Sequence, residues 1–208
     1  WPGNGVGYAS PVLMSHGGET HLVMLIDTGL TGLSPQSGTV LWRFPFVSEF
    51  ECAATPVIHH DQLIISDQKL GLLAIRVNKA GAQWEAKQVW QRQEIFNYMS
   101  SPITQNGLLY GMSFRGKGQY YCVDLQTGQI QWRSEGRQGE SAAVLRSGNE
   151  LFIQNTDGEL IVARASREKF DVVKRYKVAD SATWAHPVLF DKYLLVKDAN
   201  SLLLWSLS

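Results

Sequence analysis

Apolar and polar positions alternate along this chain in short runs, and the runs are cut by Gly, Asn and Asp. Residues 101–134 show the pattern most cleanly: "SPITQ", "LLYGMS", "YYCVDL" and "QIQWRS" read as four strands. The cuts are "NG" at 106, "RGKGQ" at 115 and "QTG" at 126. Asn-Gly between apolar runs predicts a tight hairpin, because both central positions of a type I′ turn need positive φ. Residues 141–178 repeat the design with "SAAVLR", "ELFIQN", "GELIVARA" and "FDVVKRYKV", turning at Gly148-Asn149 and Asp157-Gly158. Residues 78–95 mix Lys, Ala, Gln and Glu and invite a helix, but their place in the pattern predicts a long hairpin. No long amphipathic helix is expected anywhere.

The strands recur in units. A small residue followed by Pro opens each one: "ASPVLM" at 9, "ATPVIH" at 54, "SSPITQ" at 101, "SAAVLR" at 141 with Ala143 for Pro, and "AHPVLF" at 185. The steps from Pro11 to Pro56, Pro102, Ala143 and Pro187 are 45, 46, 41 and 44 residues. An aromatic residue closes the units at Trp42, Trp90, Trp132 and, more weakly, Tyr176, in steps of 48, 42 and 44. Four short antiparallel strands at this period predict the blades of an all-β propeller. The blades fall at about 9–46, 54–92, 99–135, 140–178 and 184–208, so about five are visible in one domain. A blade cannot cover both its faces alone, so the recurring Trp is expected to wedge between neighbouring blades.

The stretch "CVDLQTGQIQW" carries Asp124, Thr127, Gly128 and Trp132 at the spacing of the tryptophan-docking motif Ala-x-Asp-x-x-Thr-Gly-x-x-x-Trp, with Cys122 in the Ala place. "GLSPQSGTVLW" keeps Gly38 and Trp42, with Gly32, Ser34 and Ser37 as near substitutes; Ala74 and Ala163 hold the first position of the other two units. On these residues the chain resembles the PQQ-like repeat propellers. That family includes the quinoprotein alcohol dehydrogenases and the propeller lipoprotein of the outer-membrane β-barrel assembly machinery. The resemblance implies seven or eight blades, an extracytoplasmic, periplasmic setting, and a docking role for Trp42, Trp90, Asp124, Thr127, Gly128 and Trp132. The fifth unit shows three strands, and the Gly-rich start "WPGNGVGY" is a poor candidate for a fourth. The expectation is either the C-terminal part of a larger propeller or a shortened ring, with self-association through the end blades as a hazard of open edges.

Composition narrows the function classes. Nineteen basic and nineteen acidic residues balance, which argues against a general nucleic-acid or polybasic membrane partner. No apolar run is long enough to span a membrane as a helix. Cys52 and Cys122 stand far apart and make neither a C-x-x-C motif nor a disulfide framework.

Catalytic patterns are missing. Quinoprotein dehydrogenases, by resemblance, hold PQQ over calcium with carboxylate and amide ligands and often a vicinal Cys pair. This chain has no such pair and no matching ligand set. "SHGGET" has a Gly-Gly turn but no G-x-S-x-G accompanies it, and "RGKGQ" lacks most of a P-loop. His59-His60-Asp61 has metal-binding residue types, yet neighbours along a strand point to opposite faces and the trio belongs at a turn. His186 is read as a structural histidine. No catalytic residue, metal ligand or resident cofactor is therefore expected.

One constellation remains. The loops leading into the innermost strands place Glu51, Asn97, Tyr98, Glu140 and Trp184 around one rim. Acids beside aromatics suit a peptide or a small polar ligand, although an ordinary solvated rim also carries such residues. The sequence thus predicts a non-enzymatic binding scaffold. The alternative is a quinoprotein-like oxidoreductase, using PQQ with calcium, with part of its site in further blades.

Overall fold

The computed structural model describes residues 7–49 and 53–207. They form five antiparallel meanders, each a separate sheet. Sheet 1 holds β1 (Val12–His16), β2 (Glu19–Ile26), β3 (Gly29–Leu33) and β4 (Val40–Pro45); sheet 2 holds β5 (Val57–His59), β6 (Gln62–Asp67), β7 (Gly71–Ala80) and β8 (Gln83–Arg92). Sheet 3 holds β9 (Ile103–Gln105), β10 (Leu108–Ser113), β11 (Gln119–Asp124) and β12 (Ile130–Arg133). Sheet 4 holds β13 (Ala142–Ser147), β14 (Glu150–Asn155), β15 (Glu159–Arg164) and β16 (Asp171–Lys177). Sheet 5 holds β17 (Val188–Phe190), β18 (Tyr193–Lys197) and β19 (Leu202–Ser206). This is the all-β architecture of propeller blades. Of the helix-like stretch at 78–95, residues 78–92 lie in the β7–β8 hairpin, which turns at Gly81 with φ of 64°.

The middle strands explain the runs that look apolar throughout. In sheet 4, Leu151, Ile153, Ile161 and Ala163 pack into a core with sheet 3, while Phe152, Leu160 and Val162 pack with Leu194 and Val196 of sheet 5. Successive side chains leave opposite faces of a strand, so a strand covered on both sides needs apolar residues at every position. Outer strands face solvent more and regain polar residues, as in β16 with Lys174, Arg175 and Lys177.

The chain divides into two compact units, Trp1–Ser101 with Leu125–Gly128 and Pro102–Asp124 with Gln129–Ser208. The core of the first is built from Met14, Val23, Leu30 and Trp42 of sheet 1 against Leu63, Ile65, Leu73, Ile75 and Trp84 of sheet 2.

Four of the five sheets also turn on a buried polar residue at the end of their second strand. Asp67 accepts hydrogen bonds from the backbone N–H groups of Lys69 and Leu70, and Asp198 does the same for Asn200 and Ser201. Asn155 accepts from the N–H groups of Asp157 and Glu159, and Ser113 from Arg115. These side chains satisfy turn N–H groups that no strand partner reaches.

Candidate functional site

In each four-stranded sheet the ladder between the third and fourth strands slips by one residue. The pairs at the slip are Gly32 with Trp42, Ala74 with Trp90, Cys122 with Trp132 and Val162 with Lys174. The bulged residues are Leu41, Val89, Gln131 and Val173. A bulge twists the strand and re-aims the next side chain. The first three sheets set an indole there, with a small residue across the ladder. A Cβ on Gly32 would stand 2.3 Å from Trp42 Nε1, which explains why that position is glycine.

Trp90 is buried, and its Nε1 donates to Leu125 O at 2.9 Å. Its ring lies over Gly128, where a Cβ would approach to 2.5 Å; Gly128 also has φ of 69°, so both the space and the backbone demand glycine. Arg92, two residues on, donates from Nε to Gly128 O at 2.6 Å and from Nη2 to Thr127 O at 3.1 Å. The Thr-Gly of the motif is thus a seat of carbonyls beneath a glycine. Trp132 is only half-buried, and its Nε1 donates to Ser166 O at 2.8 Å. Asp124 accepts from Arg167 at 2.7 Å. Trp42 differs: it is buried, and its Nε1 donates to His21 Nδ1 at 2.8 Å.

Sheet 4 departs from the sequence expectation. Ala163 and Tyr176 fit the repeat by type, but the register sets Val162 and Lys174 at the equivalent points. Lys174 Nζ lies over the Tyr176 ring, 5.1 Å from its centroid. Both line a groove of about 420 Å³ with Phe152, Leu160, Val173 and Trp205. Residue type alone hid this groove.

The rim residues fall in different settings. Glu51 lies outside the described residues, as do Cys52 and the first six positions of the Gly-rich start. Asn97 is buried; its Nδ2 donates to Ser100 O at 3.1 Å and its N–H to Ser66 Oγ at 2.8 Å, so it shapes its loop. Tyr98 is half-buried beside Phe96, with ring centroids 6.1 Å apart. Glu140 and Trp184 are exposed on the loops before β13 and β17.

The groups with chemical potential are tied into structure. Burial pushes the Cys122 thiol up to about 12, so it stays protonated and unreactive. Asp61 pairs with Arg76 at 2.8 Å at the turn between β5 and β6, leaving His59 and His60 beside each other with centroids 4.4 Å apart. Glu159 pairs with Arg175 at 2.8 Å and Asp171 with Arg164 at 3.2 Å. Among the described residues no group of three or more His, Cys, Asp or Glu side chains is placed to hold a metal ion. No helix among these residues is long and apolar enough to cross a membrane.

Comparison with curated proteins gives no match. Many solved structures share the fold, among them the following three. BamB from Moraxella catarrhalis aligns with a TM-score of 0.51 at 13% identity, over 93% of this chain and 71% of that one. The computationally designed Ika8 protein gives 0.54 at 10% identity, over 93% and 70%. The designed Ika4 protein gives 0.56 at 11% identity, over 81% and 98%. The family described as "Outer membrane protein assembly factor BamB" matches residues 1–134, which include two indoles with a carbonyl partner beyond their own strand pair, Trp90 and Trp132. The chain belongs to that family.

Proposed function

We propose that the chain is a non-enzymatic propeller scaffold that works outside the cytoplasm, holding a protein partner during outer-membrane protein assembly. The observation that carries this reading is the family membership over residues 1–134. The chemistry supports it, because the one described thiol is buried and carboxylates that could hold a cofactor metal are spent in ion pairs and turns. On this reading the partner is gripped at Trp184 and Glu140, exposed on the loops before β17 and β13 of the second unit. An exposed indole gives a protein partner apolar area, and an exposed carboxylate gives it a polar anchor.

The test is capture. Immobilised protein is offered a detergent extract of outer membranes, and the retained proteins are identified. The reading expects a β-barrel assembly component, retained by the intact protein and lost with Trp184→Ala at unchanged thermal stability. The competing quinoprotein reading makes a different forecast. Supplied with PQQ, calcium and an artificial electron acceptor, the protein is expected to show no alcohol or sugar oxidation. Turnover that disappears on chelation would replace the scaffold with an oxidoreductase.

A further inference from the structure

Of the five histidines, only His21 is buried. It sits on β2 with no exposed surface, and two indoles close over it. Trp42, from β4, donates its Nε1–H to His21 Nδ1 at 2.8 Å. Nδ1 is therefore the lone-pair nitrogen, and the neutral ring carries its proton on Nε2. Nε2 is buried with no hydrogen-bond partner. Trp84, from β8 in sheet 2, meets the imidazole nearly at right angles, with centroids 4.4 Å apart. Sheet 1 holds Trp84 in return: its Nε1 donates to Glu19 Oε2 at 3.1 Å, and a side chain on Gly17 would stand 2.8 Å from its ring.

We propose that His21, Trp42 and Trp84 form an acid-released latch between sheets 1 and 2, in which a second proton taken at His21 Nδ1 sets two N–H donors head to head and drives the Trp42 indole from its seat. The titratable groups around the ring are Glu19 on its own strand, His16 at the end of β1 and Lys79 on β7. Glu19 is engaged by Lys79 at 2.6 Å, so its charge is shared before it can favour an imidazolium. The elements that touch the ring directly, β4 and β8, present indoles there. Burial holds the imidazole below its ordinary value of 6.5, with His16 and Lys79 adding to the effect and Glu19 opposing it. The contribution to stability is therefore complete above pH 6.5. It is lost as the pH falls below 6.5 through the lower folded-state value. The inference stands on the packing of the first two sheets and does not depend on the scaffold reading.

The experiment follows imidazole and indole nitrogens by NMR from pH 8 to 5, alongside denaturant unfolding over the same range. His21→Asn keeps an acceptor near the Nδ1 position and cannot titrate. The Nε2–H tautomer is expected at pH 7.5, and the Trp42 indole signal is expected to move as His21 titrates below pH 6.5. The unfolding constant should rise by up to about tenfold per pH unit below that point. His21→Asn should remove most of this rise, and His16→Asn should keep it. An Nδ1–H tautomer, an indole signal that stays put while His21 titrates, or an acid response unchanged in His21→Asn would each overturn the latch. Should His21→Asn fail to fold, the tautomer and the indole signal of the unaltered protein decide.

Discussion

Sheets 2 and 4 set different residues at the same point of the same design. In sheet 2 the bulge aims Trp90 at a turn that receives it, with Ala74 across the ladder and Gly128 beneath the ring. In sheet 4 the bulge presents Lys174, with the larger Val162 across from it, and Tyr176 beside it is 43% exposed. The backbone is alike in both. Only sheet 2 combines a small cross-strand partner, a glycine below and a carbonyl for the indole N–H. The indole contributes where all three meet, and the bulge alone does not make a seat.

Substitutions can break this contrast. Trp90→Ala removes a buried aromatic and leaves Leu125 O without its donor, so a loss of about 3–5 kcal/mol is expected in denaturant unfolding. Gly128→Ala puts a Cβ into the ring and a side chain at positive φ; a loss of about 2 kcal/mol is expected, with Trp90 fluorescence shifted to the red. Trp132→Ala should cost less than Trp90→Ala, about 1–3 kcal/mol, because its ring is only half-buried. Lys174→Ala should change stability by no more than about 1 kcal/mol, since an exposed lysine has little beyond its contact over the Tyr176 ring to lose. A cost for Lys174→Ala equal to that for Trp90→Ala would erase the distinction between the two sheets.

The sequence carries the fold in its period and turns. Small-residue openings, Asn-Gly and Thr-Gly breaks and closing aromatics recur because each blade must meet the same packing demand. The slip in the ladder is different. It depends on which backbone groups pair, and Ala163 and Tyr176 fit the repeat by type while the pairing selects Val162 and Lys174. The groove beside Lys174 was hidden for the same reason. The turn residues Asp67, Asn155 and Asp198 do keep the repeat spacing and could have been found by aligning the ends of the second strands. The rim was legible only as a set of residue types. Asn97 proves to be spent on its own loop, which no spacing rule signals.

Hydrogen exchange at the indole N–H groups tests the central claim most directly, because each seat is defined by one such bond. Trp90, buried and bonded to Leu125 O, should exchange slowest together with Trp42. Half-buried Trp132 should follow, and Trp184, 55% exposed on its loop, should exchange at the rate of a free indole. Exchange at Trp90 as fast as at Trp184 in the folded protein would contradict the account.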